Sequence, residues 1–404
     1  MTLGRTGTVA ALGSAQTLAW ASSYYLPAVL AAPMARDLGV SMPAVFAAFS
    51  AALIVSALLG PFAGRAIDRW GGRPVLIATN AVFALGLAGL AWCEGPVGLV
   101  AAWLVMGVGM GSGLYEAAFA ALVRLYGRES RSAITGITLI AGFASTVGWP
   151  LSALLEAQFG WRGACLVWAA LHVLLGMPLN AMLPRAAPLP AAPADSPAVT
   201  GTVPPATPPD TRAFVLLAFV FAVTMFGSTA MAAHLPTLLQ AFGASVAASV
   251  AAGALIGPAQ VGARLLEFGL LRRWHPLFSA RLAVITHPIG ALVLAIVGAP
   301  AAAAFTILHG AGNGILTIAK GTLPLALFGP QGFGARQGLL MLPARFAQAA
   351  APWLFGLCME RWGAGAIVLT AALGLAAFVA LWLLPRQAPE ARAARDMALE
   401  DQAP

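Results

Sequence analysis

Twelve apolar runs, each about twenty residues or longer, fill most of this 404-residue chain. Roughly twenty residues of α-helix cross the hydrocarbon core of a bilayer. No water is present there to satisfy a bare backbone, so such runs have one stable form, the transmembrane helix. In the first half they fall near residues 8–32, 42–63, 74–92, 97–125, 132–155 and 163–183; in the second, near 213–239, 246–271, 277–298, 301–328, 336–359 and 364–384. Composition closes off a soluble fold, since 60% of residues are hydrophobic and 9% charged, against about 25% charged in soluble domains. The expected fold class is an all-α integral membrane protein with twelve transmembrane helices.

The two sets of six are separated by residues 184–212, which hold nine prolines and almost no large apolar side chains. Such a stretch cannot bury a core and is expected to be an extended linker. The organisation that follows is a six-helix bundle over 1–183, the linker, a second bundle over 213–385 and a polar, disordered tail over 386–404. The apolar run after Arg5 continues to about Ala31, which suits a first span better than a cleaved leader. Sixteen arginines fall in segments on the side of the N-terminus and three, Arg36, Arg162 and Arg361, on the other. The positive-inside rule then places both termini in the cytoplasm, for a multi-pass protein of the cytoplasmic (inner) membrane. The same rule accounts for the net charge of +8, and no basic patch interleaved with aromatics points to nucleic acid. Cys93, Cys165 and Cys358 lack metal-ligand or CxxC spacing and read as small buried hydrophobes.

The halves repeat each other. Gly107–Glu116 and Leu125-Tyr126-Gly127 align without a gap on His309-Gly310-Ala311-Gly312-Asn313-Gly314 and Leu327-Phe328-Gly329. Gly60-Pro61 in span two recurs as Gly257-Pro258 in span eight, and Gly160-Trp161-Arg162 has a counterpart in Arg361-Trp362-Gly363. Parallel repeats of this kind, with a substrate site at mid-membrane between them, belong to secondary transporters. Two pseudo-symmetric six-helix bundles around a central cavity are therefore expected.

Between spans two and three stands Gly64-Arg65-Ala66-Ile67-Asp68-Arg69-Trp70-Gly71-Gly72-Arg73. Glycines here allow close helix approach and a tight turn, and Asp68 among arginines can bind neighbouring helix ends. The segment resembles the signature loop of the major facilitator superfamily, Gly-x-x-x-Asp-Arg-x-Gly-x-Arg. With twelve spans and a central linker, the resemblance covers nearly the whole chain. It implies that Gly64, Asp68, Arg69, Gly71 and Arg73 form a conformational gate that latches the halves; a basic loop that only sets topology is the plainer reading. Gly142–Pro150, followed by Gly160-Trp161-Arg162, resembles span five and the next loop of monocarboxylate and oxalate/formate transporters. Arg264 stands where those carriers keep an anion-binding arginine, but Gln260 replaces their usual aspartate. The antiporter motif of drug exporters is not cleanly present in span five, so a drug or metabolite exporter is the alternative reading.

Four ionisable residues lie well inside spans: Glu116 in four, Arg264 in eight, Lys320 (the one lysine of the chain) in ten and Arg345 in eleven. Counting at about 1.5 Å per residue puts all four roughly 10–14 Å from the cytoplasmic surface. Long basic side chains at that depth can snorkel to the headgroups. Facing a shared cavity, they form one layer with a surplus of two positive charges, which attracts an anion. The repeat makes Glu116 and Lys320 near-symmetric partners. Asn313 shares a helical face with Lys320, Gln260 with Arg264, and Trp20 with Tyr24. The expected activity is secondary transport of a small organic anion, a carboxylate, held by Arg264, Lys320 and Arg345 with Gln260, Asn313, Trp20 and Tyr24. Glu116 is then a proton-coupling group or a static ion pair. HExxH, GxSxG and P-loop motifs do not occur, so no enzyme, metal or cofactor is expected. The partners are the substrate, protons and the bilayer, for a monomeric carrier.

Overall fold

The computed structural model describes residues 3–186 and 211–385, and all regular structure among them is helical. The first six crossings comprise α1 (Arg5–Ser22) with α2 (Pro27–Asp37), α3 (Met42–Trp70), α4 (Gly72–Trp92), α5 (Gly95–Gly113) with α6 (Tyr115–Tyr126), then α7 (Arg131–Ala141), α8 (Ala144–Leu171) and α9 (Met177–Ala181). Helix α8 makes a turn at Gly160, whose φ of 67° needs glycine; crossing five ends there, and crossing six runs from Trp161 through one π-turn into α9. The second six comprise α10 (Thr211–Ala241), α11 (Val246–Ala254) with α12 (Ile256–Gly269), α13 (Pro276–Val297), α14 (Ala302–Phe328), α15 (Phe333–Trp362) and α16 (Ile367–Trp382). Eight continuous apolar helical stretches are long enough to span a membrane; Gly95–Ala181 contains three crossings and Phe333–Trp382 two, and the broken first crossing makes twelve.

Most of the expected linker, and all of the expected tail, lie outside the described residues. Its last two positions, Thr211 and Arg212, already belong to α10.

Each half buries its own apolar clusters. One joins α1–α5 and α8 around Trp103 and Trp168; its counterpart joins α10 and α12–α16 around Phe221 and Leu323. Small residues let the helices approach. A methyl added at Gly107 or Gly111 would strike the carbonyls of Ala52 or Ser56, and one at Gly310 or Gly314 those of Ile256 or Gln260. These contacts prove the repeat but correct its register. Gly107 is equivalent to Gly310, one residue away from the gapless alignment, while the helix ends still match at Gly127 and Gly329, both left-handed caps. The extra residue is absorbed at Leu114, where crossing four breaks between α5 and α6, whereas α14 runs unbroken. The same contacts make Ser56 equivalent to Gln260 and Gly60 to Arg264. Gly60-Pro61 and Gly257-Pro258 therefore occupy different depths and are not symmetric copies.

Candidate functional site

Four crossings are interrupted near mid-membrane: one between α1 and α2, four at Leu114, five at Gly142-Phe143 and eight at Leu255. A break leaves carbonyls without their helical donors, which hydrocarbon penalises unless protein groups replace them. The structure supplies those groups. Gln16 Nε2 donates to the freed carbonyl of Gly113 at 2.6 Å, and Thr79 Oγ1 reaches Ser112 O at 3.2 Å. Beside the break in crossing five, Thr138 O keeps its helical donor Gly142 N at 3.0 Å and accepts from Arg264 Nη1 as well, at 3.2 Å. In α14, Pro324 has no N–H for the Lys320 carbonyl, and Gln337 Nε2 from α15 fills that role at 2.9 Å.

The breaks surround a cavity of about 610 Å³ between the halves. Every residue singled out for substrate or proton lines it: Trp20, Tyr24, Glu116, Gln260, Arg264, Asn313, Lys320 and Arg345. Depth counting thus finds its four charges around one space. Their pairing differs from the sequence expectation. Glu116 Oε1 accepts from Arg345 Nη2 at 2.8 Å, and not from Lys320. Arg345 Nη1 continues to Gln348 Oε1 at 2.9 Å, and Gln348 Nε2 to the Tyr24 hydroxyl at 3.0 Å, a chain of bonds crossing from one half to the other. The reason lies in the register: Glu116 is equivalent to Ile318, so Lys320 sits two residues on, about 200° around the helix.

Lys320 Nζ instead lies 2.7 Å from Met225 Sδ on α10. Arg264, 7% exposed, reaches only the Thr138 carbonyl and, at 3.5 Å, Thr317 Oγ1; its Nε has no partner. A side chain at position 142 would collide with its guanidinium, so glycine there keeps the arginine seated. Among the described residues neither cation has a carboxylate within ion-pair distance. Opposite them lies an aromatic wall: Trp20 packs on Tyr115 at 4.9 Å and Tyr24 at 5.3 Å, and Tyr115 stacks on Phe119 at 5.4 Å.

At the face where the chain begins, the halves are locked together. Asp68 at the end of α3 accepts from Gly334 N at 3.0 Å and Ala335 N at 2.9 Å, capping α15 from outside. Gly64 and Gly334 touch backbone to backbone there, with no room for a Cβ on either. A second lock joins α7 to α12: Arg131 Nη2 meets Glu267 Oε1 at 3.1 Å, and its Nη1 donates to Trp274 O at 2.7 Å. Ser279 Oγ holds the other Glu267 oxygen at 2.7 Å.

Of the expected gate, Gly64 and Asp68 cross the seam, Gly71 turns the chain at φ 83°, and Arg73 reaches Leu183 O at 3.4 Å within its own half. Arg69 lines an open pocket beside the seam and lies over Trp70. Sequence reasoning missed Glu267, 1% exposed, and the cavity residues Tyr25, Phe143, Met225 and Thr229. The signal for Glu267 was an acid one turn beyond Arg264 in an otherwise apolar helix.

A membrane-embedded two-half bundle, a central charged cavity and a locked seam define a secondary transporter. The sequence matches the pattern described as Major Facilitator Superfamily over residues 12–307, and the chain belongs to that superfamily. A curated relative, the multidrug resistance protein fnx1 of Schizosaccharomyces pombe, is 31% identical over 119 residues, which is 28% of this chain and 22% of the relative. Solved structures of similar fold include the human organic anion transporter MFSD10 (TM-score 0.72, 18% identity, 94% of this chain and 100% of that one). The proton:xylose symporter XylE (0.70, 14%, 94% and 95%) and the E. coli fucose:proton symporter FucP (0.70, 14%, 92% and 97%) are also similar. At these identities the likeness concerns the fold.

Proposed function

We propose that this transporter carries a small organic anion, a carboxylate, across the cytoplasmic membrane by alternating access, as a monomer with both termini in the cytoplasm. One observation carries the reading. Once Arg345 and Glu116 neutralise each other, Arg264 and Lys320 remain in the cavity without an anion. Two unpaired cations held among packed helices are costly unless a ligand supplies the counter-charge. The aromatic wall and the amides of Gln260 and Asn313 complete a pocket for a carboxylate with an apolar body. Arginine in span eight and the Gly142–Pro150 segment favour the monocarboxylate and oxalate/formate branch. The locks join the halves on the arginine-rich face, so the conformer is the one closed to the cytoplasm.

A thermal-shift screen of purified protein against small carboxylates, other oxyanions and hydrophobic cations tests the class, because a ligand of the folded state raises its melting temperature. Carboxylate uptake into proteoliposomes should be lost in Arg264→Ala and in Lys320→Ala; full uptake in both rejects the reading. Drug export is the second reading, favoured by the stretch shared with a protein named for multidrug resistance. It requires hydrophobic cations to compete for the site, which its two free positive charges oppose.

A further inference from the structure

Two histidines sit outside the charge layer and have no part in the mechanism above. His287 on α13 and His309 on α14 face each other with Nδ1 to Nδ1 at 3.0 Å. That distance requires an N–H···N bond, so one ring donates while the other presents its lone pair. The Nε2 of His287 is fully buried and has no partner. Both rings line a small, mostly apolar pocket of about 40 Å³ to which Thr286 and Thr370 add polar groups, enough for at least one water. Asn313 and Ser228 line this pocket and the main cavity alike, so the two spaces share a wall.

The other buried histidine of the spans shows what a packed one looks like. His172 in the first half, also fully buried, has both ring nitrogens engaged, by Ser22 Oγ at 2.7 Å and Asn80 Oδ1 at 2.8 Å. The second-half pair is left with an open valence. The charged and titratable groups around it are few. None lines the pocket from α10, α13, α14 or α16. On α13, Arg281 is six residues from His287, about 9 Å along the helix, and binds Leu381 O. On α14, Lys320 is eleven residues from His309, about 16 Å along the helix. Helix α10 carries Arg212 at one end and His234, which is bound to Pro352 O; α16 carries no charge. Helix α12, also packed on α14, carries Arg264 and Glu267, both engaged with α7.

We propose that His287 and His309 form a proton-binding site, in which the pair takes up one proton as a unit and passes it on during the transport cycle. In the resting state the two rings hold one shared N–H···N hydrogen. A proton arriving at the open ring nitrogen makes an imidazole–imidazolium pair with a charge-assisted bond, and the extra charge is spread over two rings. The same nitrogen gives the proton up again, so the chemistry is balanced without a co-reactant. Intramembrane histidines characteristically serve such relays. The positive charge sits one residue layer from the main cavity, so an anion there and a proton here attract each other. This coupling role rests on the anion reading; the proton site itself does not.

The test is ¹⁵N NMR of protein labelled on its five histidines, in nanodiscs, between about pH 4 and 9 around the free imidazole value near 6.5. In the wild type, two rings should show N–N coupling through their hydrogen bond and shift together in a single step. His287→Gln and His309→Gln should abolish both signatures, and His234→Gln neither. Two rings titrating independently, or no titration of the coupled pair, overturns the proposal, and this wild-type result stands even if a variant misfolds. With [¹⁴C]succinate as probe in proteoliposomes, His309→Gln should retain counterflow but lose accumulation driven by a pH gradient; retained gradient-driven accumulation overturns the coupling role. A protein that moves no succinate in either assay counts against the anion reading, while the NMR result still decides the proton site.

Discussion

Asp68→Ala should release the seam on the face where the chain begins, and the size of the effect can be worked from the contacts. The Asp68 carboxylate receives two backbone N–H groups at 3.0 and 2.9 Å from the first turn of α15. A hydrogen bond to a charged group contributes about 1.5–3 kcal/mol net, and the helix N-terminus adds a few tenths to 1. Asp68 is half-buried, so the lower end applies, about 3 kcal/mol for the pair of bonds. That is a factor of roughly 150 between closed and open; an open state populated at about 1% would rise to about 60%. Spin labels on Trp70→Cys and Gln331→Cys, both exposed on opposite sides of the seam, report the opening by double electron–electron resonance. Cys358 is replaced by serine, while Cys93 and Cys165 are buried and silent. Asp68→Asn keeps one acceptor and should fall between wild type and alanine. Because Arg131–Glu267 is an independent lock, Asp68→Ala with Arg131→Ala should open further. A distance distribution unchanged in that double variant refutes the reasoning.

Glu116→Gln leaves the Arg345 guanidinium, 7% exposed, without its carboxylate. Removing one member of a fully buried pair costs about 3–5 kcal/mol, and the partial exposure of Glu116 reduces this to about 2–3. The melting temperature in detergent should fall, and Glu116→Gln with Arg345→Gln should recover part of the loss. Gly334→Val sets a side chain into the Gly64 backbone; the labelled pair should then lose its short distance, with secondary structure retained by circular dichroism. Gln16→Leu orphans the Gly113 carbonyl, which should cost about 1–3 kcal/mol in thermal stability.

The crossings were legible because hydropathy reports burial in lipid, and the charge layer because depth is simple counting along a helix. Azimuth was not: Lys320 stands two residues past the equivalent of Glu116, about 200° around the helix. Gly257-Pro258 stands about two turns from the equivalent of Gly60-Pro61, close in azimuth but different in depth. The breaks were hidden for another reason. Gly113-Leu114 and Gly142-Phe143 lie in apolar runs, and the groups that serve the freed carbonyls at Leu114 are Gln16 and Thr79 on other helices. Glu267 escaped notice because an acid near a helix end reads as surface, yet Arg131 and Ser279 bury it.

The break at Leu114 also bears on the acid of the cavity. It starts a new helix at Tyr115, which puts Glu116 in the first turn of α6, where the macrodipole stabilises negative charge. The Glu116 carboxylate meets Arg345 at 2.8 Å. That base is neutralised through a chain that bridges both halves via Gln348 and Tyr24. Lys320 and Arg264 are left for whatever enters the cavity. The charge pair that ties the halves, Glu116–Arg345, is thus distinct from the two cations that lack a carboxylate partner among the described residues.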